Sequence, residues 1–156
     1  LSSLMHGGAQ ERGLRAGTEN TPAIVGFAKA LTLAAAHMDE NAKHIASLCD
    51  SLEREVSDIP GVRINGRQAP RLPGHLHISI DGFNSQMLLM RLDMMGIAAS
   101  AGSACASGAA ERSHVIRAMG IDKENQADIR FSIGENNTLQ EIEQVAAALK
   151  RILCRK

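Results

Sequence analysis

Residues 100–108 read Ser-Ala-Gly-Ser-Ala-Cys-Ala-Ser-Gly, and nothing from Ser100 to Ala110 is large enough to pin this segment into a core. A structural cysteine sits among large apolar neighbours, and Cys105 does not. Its thiol is therefore predicted to be exposed and mobile, as suits a nucleophile that must reach a substrate and then present its product elsewhere. An incidental thiol in a flexible loop is the alternative that composition leaves open.

A second segment, residues 6–20, is too rich in glycine and charge for a core element. Thr18, the backbone N–H groups around Gly17 and the guanidinium groups of Arg12 and Arg15 together can bind a phosphate or carboxylate near a helix start. The alternative is a glycine-rich connector with solvated charges. A third candidate is Arg130, flanked by Ile129 and Phe131, so that on a strand its side chain points away from theirs. An arginine there can clamp a carboxylate bidentately, or it can pair with Asp128.

Other residues are set aside. His75 and His77 share one strand face and could hold a metal with Cys105, but two neighbouring histidines without a fixed third ligand are more often surface polar residues, so no metal centre is expected. Met87, Met90, Met94 and Met95 are expected to pack into the core from a helix. Cys49 and Cys154 fall in helical segments and read as structural or incidental.

The elements that hold these segments alternate. Asn20 or Thr21 can cap a long helix with Pro22 in its first turn. Ile24, Phe27, Leu31, Ala34, Met38, Ile45, Leu48, Leu52 and Val56 recur near helical spacing, apart from a polar gap at residues 39–44. That gap is the expected boundary between two bodies. Val62–Ile64 and Leu76–Ile80 read as strands, 84–95 as a helix capped by Asn84, and 96–99 as a strand or its stub. A helix over 113–119, a strand over 128–133 and an amphipathic helix from Thr138 to about Leu153 complete an α/β pattern.

Composition narrows the function. Hydrophobic residues make up 44% of the 156, enough for a core, but there is no Trp or Tyr and the only phenylalanines are Phe27, Phe83 and Phe131. The 17 basic and 17 acidic side chains cancel, and stacking aromatics are scarce, which argues against nucleic acid. No apolar run is long enough to span a bilayer. Three cysteines without regular spacing argue against a disulfide framework, so a reducing cytoplasm is the expected location. The first residues lack an initiator methionine and the regions of a signal peptide, so a preceding segment is expected.

Taken together, the three segments resemble the pyridoxal-phosphate-dependent cysteine desulfurases, in the group with a long catalytic loop. The resemblance rests on His6-Gly-Gly-Ala-Gln-Glu-Arg-Gly-Leu-Arg-Ala-Gly-Thr-Glu-Asn20, on Ser100-Ala-Gly-Ser-Ala-Cys-Ala-Ser-Gly108, and on Ile129-Arg-Phe-Ser-Ile-Gly134 followed by Asn137-Thr138. It covers essentially the whole chain.

It implies the C-terminal part of a fold-type I transferase: residues 1–38 as the end of the large cofactor domain and the start of a connecting helix, and residues 39–156 as the small α/β domain. It also implies that Cys105 takes sulfur from L-cysteine, leaving alanine and a persulfide destined for an iron–sulfur scaffold or another acceptor protein. Arg130 would bind the substrate carboxylate. Thr18 would contact the phosphate of pyridoxal 5′-phosphate, across to the partner subunit of a homodimer.

The family's cofactor lysine lies upstream of the first motif, and Lys29, Lys43, Lys123, Lys150 and Lys156 do not match it. Ala9 stands where a third glycine is usual. The chain alone is therefore expected neither to hold the cofactor covalently nor to turn over. Two other readings remain: a standalone sulfur-carrier or scaffold-interaction module without cofactor, and a small zinc protein using His75, His77 and Cys105. Retention of the 6–20 loop, for which a carrier has no use, favours the enzyme.

Overall fold

The computed structural model describes residues 2–102 and 113–154, so Cys105 lies outside the described residues. The chain divides into two units, Leu1–Asp39 and Glu40–Lys156. The division falls inside helix α1, Thr21–Ser57.

In the first unit, Asn20 starts α1. Its Oδ1 accepts from the Ala23 N–H at 3.1 Å, and its carbonyl accepts from the Ile24 N–H at 3.0 Å. Pro22 occupies the first turn, where a missing N–H costs nothing. The apolar positions in this part of the helix recur at the helical spacing read from the sequence, and they are open to solvent: Phe27 is 70% exposed and Met38 64%, with Ile24 and Leu31 similar. Helical spacing creates an apolar stripe, but within this unit the other described parts are a loop and one short 3-10 turn, Glu11–Gly13, which do not cover it.

The second unit is built on a three-stranded antiparallel sheet, β1 (Val62–Ile64), β2 (His75–Asp81) and β3 (Gln126–Ser132), in the order β1-β2-β3. Register decides what each face carries. Leu76, Ile78 and Ile80 lie opposite Phe131, Ile129 and Ala127, and all six are buried. Leu48, Cys49, Leu52 and Val56 of α1 join the same core, as do Ile142, Ala146, Leu149 and Ile152 of α4 (Leu139–Leu153). The other face pairs His77 with Arg130, Ser79 with Asp128 and Asp81 with Gln126.

Two caps act as the sequence requires. Asn84 Oδ1 accepts from the Met87 N–H at 3.1 Å to start α2 (Ser85–Asp93). Thr138 and Glu141 form a capping box at the start of α4. Gly74 is fixed by packing, because a Cβ there would come within 2.2 Å of the Ile133 carbonyl oxygen.

Other expectations need correction. Leu88 and Leu92 bury the inner face of α2, whereas Met87, Met90 and Met94 are 60%, 67% and 85% exposed, so the methionines are not core packing. Residues 96–99 form no strand: Gly96 turns at φ +75°, and pairing resumes only as a single bridge from Ser100 to Arg130. α3 spans His114–Ala118.

Candidate functional site

Arg130 sits in the middle of β3 between Ile129 and Phe131, whose side chains are in the core. Strand alternation therefore places Arg130 on the polar face. Ser100 holds its backbone from the sheet edge: the Arg130 N–H donates to the Ser100 carbonyl at 2.7 Å, and the Ser100 N–H donates back at 3.0 Å. The guanidinium Nε is buried with no hydrogen-bond partner among the described residues. Pairing with Asp128 was the alternative offered by the sequence, and the carboxylate is engaged elsewhere. Asp128 Oδ1 accepts from Ser79 Oγ at 2.5 Å and from Gln126 Nε2 at 2.9 Å. A buried N–H left unpaired is costly, so an incoming anionic oxygen would relieve it.

The sequence reads His77, directly across from Arg130, as a surface polar residue, with metal ligation as the lesser alternative. Here it is half-buried, and its Nδ1 lies 2.8 Å from Asn65 Nδ2. Burial pushes the imidazole below its ordinary pKa; nearby Asp128 opposes this and Arg130 adds to it. His75, by contrast, is exposed. Among the described residues no three His, Cys, Asp or Glu side chains group as metal ligands would. A signal for His77 was present in the alternation of His77, Ser79 and Asp81 in one strand and Gln126, Asp128 and Arg130 in another, which gives two polar rows that match once paired.

The 6–20 loop is held together largely by its own polar groups. The Gly17 N–H donates to Gln10 Oε1 at 3.3 Å, and Arg15 Nη1 donates to the carbonyls of Gly17 at 3.0 Å and Thr18 at 3.3 Å. Gly17 adopts φ +102°, a conformation that glycine takes readily. Arg15, expected to be free for an anion, therefore acts partly as a clamp on the loop. Thr18 is exposed, two residues before the Asn20 cap. Thr18 belongs to the first unit and Arg130 to the second.

Of the remaining candidates, Cys49 is buried, and desolvation raises the pKa of its thiol. Cys154 is exposed at the end of α4. Lys150 is engaged by Glu55 at 2.5 Å. No described helix is long and apolar enough to cross a membrane.

Residues 4–145 match the family model described as aminotransferase class-V. A cysteine desulfurase IscS of Clostridium botulinum is 41% identical over 98% of this chain and 40% of its own length. A cysteine desulfurase of Rhodobacter capsulatus is 43% identical over 96% of this chain and 39% of its own length. A NifS-like protein from Rickettsia africae superposes with a TM-score of 0.79 at 33% identity, covering 97% of this chain and 39% of that one. The chain thus spans about 40% of the length of the curated relatives it matches.

Proposed function

The chain belongs to the class-V aminotransferase family, and from that premise we propose that it serves as the thiol-bearing part of a cysteine desulfurase. The observation that supports this most directly is the buried, unpartnered Nε of Arg130, a donor placed for a substrate carboxylate. In this reading Arg130 orients L-cysteine through its α-carboxylate. The Cys105 thiol attacks the substrate sulfur; the substrate C–S bond breaks, the carbon gains a proton to become the methyl of alanine, and the sulfur stays on Cys105 as a persulfide. From there it passes to an iron–sulfur scaffold or another acceptor protein.

Pyridoxal 5′-phosphate, when bound, supplies the electron sink for cleaving the substrate. The exposed Thr18 hydroxyl, on a loop held by Gln10 and Arg15, fits a contact to its phosphate. In a homodimer that contact reaches the partner subunit's cofactor. None of Lys29, Lys43, Lys123, Lys150 or Lys156 is assigned as the attachment residue. A reducing cytoplasm suits a chemistry that depends on a free thiol.

The test is to join this chain behind the upstream portion of the Clostridium botulinum relative and measure alanine released from L-cysteine. Turnover is expected, and Arg130→Ala should raise the KM for L-cysteine at least about tenfold, the loss of one charge-assisted contact, while the cofactor absorbance is retained. Bound cofactor with no alanine formed would overturn the reading.

A further inference from the structure

The polar face of the sheet carries a run of side-chain hydrogen bonds whose direction is fixed at one end. Asp128 is 9% exposed, and its carboxylate only accepts. Ser79 Oγ, 2.5 Å from Asp128 Oδ1, therefore gives up its single hydroxyl proton there. As an acceptor, Ser79 Oγ then receives Asn65 Nδ2 at 2.7 Å and Gln126 Nε2 at 3.2 Å. The Asn65 amide therefore turns its nitrogen, not its oxygen, toward Ser79. The same amide nitrogen lies 2.8 Å from Nδ1 of His77. It has only hydrogens to offer, so Nδ1 must present a lone pair and the ring proton must sit on Nε2.

We propose that His77 is the second donor of the carboxylate site built on Arg130, its ring held neutral with the proton on Nε2 by the Asp128–Ser79–Asn65 relay. The proposal rests on reading Arg130 as the carboxylate-binding residue. His77 and Arg130 are register partners on one face, and directly opposed residues have Cβ atoms about 5 Å apart. Two side chains at that separation can share the two oxygens of one carboxylate. The hydrogen bond to Asn65 engages His77 through Nδ1 and leaves Nε2 for a ligand, while Arg130 Nε is buried with no partner among the described residues.

The charged groups around the ring are Arg130 and Asp128 on β3. On the β1 side Asn65 is uncharged, and Arg63 is paired with Asp81 at 2.8 Å. A protonated His77 would lose the Asn65 bond and stand beside a guanidinium. A neutral Nε2–H adds a donor without that repulsion.

The experiment follows the imidazole nitrogens of the ¹⁵N-labelled chain against pH, with His77 assigned through His77→Gln. L-alanine is the probe, and L-alaninamide, which lacks the carboxylate, is the control. The expected result is an Nε2–H tautomer in the free chain. L-alanine, but not the amide, should raise the His77 titration midpoint by about one unit, as an adjacent anion does. The rise should vanish in Arg130→Gln, and Asn65→Ala should give mixed tautomers in a chain with native sheet resonances.

An Nδ1–H tautomer in the free chain overturns the relay. If L-alanine perturbs the Arg130 Nε–H while His77 is unmoved, the role of His77 is overturned and the Arg130 reading stands. No response at either residue overturns both.

Discussion

Ser79 donates its hydroxyl to Asp128 across β2 and β3 at 2.5 Å, with both side chains nearly sealed from solvent. A bond to a buried charged group is worth more than one at the surface, because its loss leaves the charge under-solvated. Ser79→Ala should therefore destabilise the chain by about 1.5–3 kcal/mol, read as a lower urea midpoint at unchanged slope. A loss within error would mean that Gln126, the other donor to Asp128, suffices alone.

The same sheet sets a pH dependence. His77 is harder to protonate in the folded chain than its ordinary value of 6.5, chiefly because it is buried. Between those two values the unfolded chain binds more protons, so stability rises with pH through that window. The contribution is complete above 6.5 and is lost as pH falls toward the folded value. Thermal melts from pH 7 downward should show this slope, and His77→Gln should flatten it.

Much of this was legible in the sequence. Asn84 and Thr138 announced the starts of two helices because a cap is a local event, decided within a few residues. The apolar row Leu76, Ile78, Ile80 announced a strand for a similar reason. The Met stripe of α2 was misread, since periodicity says that a face is apolar but not which neighbour covers it; Leu88 and Leu92 took the core side. The engagement of Asp128 by Ser79 rather than Arg130 was also beyond the sequence, because it depends on the register of strands some fifty residues apart.

Glu53, 6% exposed in α1, is gripped by Arg67 at 2.8 Å and by Arg71, both from the segment between β1 and β2. Arg71 lies near Cys49, which is 2% exposed. Glu53→Ala should cost roughly 1–3 kcal/mol and loosen that segment. Cys49 should then react with a thiol reagent in the folded protein, whereas in the unaltered chain Cys154 reacts and Cys49 stays protected. Unchanged protection of Cys49 would show that the arginine grip does not close over it.

The capping box at α4 has its own acid limit. Glu141 is held below its ordinary pKa by the Thr138 N–H it accepts, with Asn137 adding a second bond. Its contribution is present above the ordinary value of 4.5 and lost as pH falls through the lowered folded value. The melting gap between the unaltered chain and Glu141→Gln should therefore close in acid. Thr138→Ala should cost about 1 kcal/mol at neutral pH, measured by urea unfolding.

The central claim concerns Cys105, and the most direct measurement is to find where the sulfur goes. The chain joined to the upstream portion of the Clostridium botulinum relative is exposed to L-cysteine, alkylated and mapped by peptide mass spectrometry. The account predicts one added sulfur on the peptide bearing Cys105, none on those bearing Cys49 or Cys154, and none anywhere in Cys105→Ala. Alanine accumulating with the extra sulfur on another cysteine, or undiminished in Cys105→Ala, would contradict it.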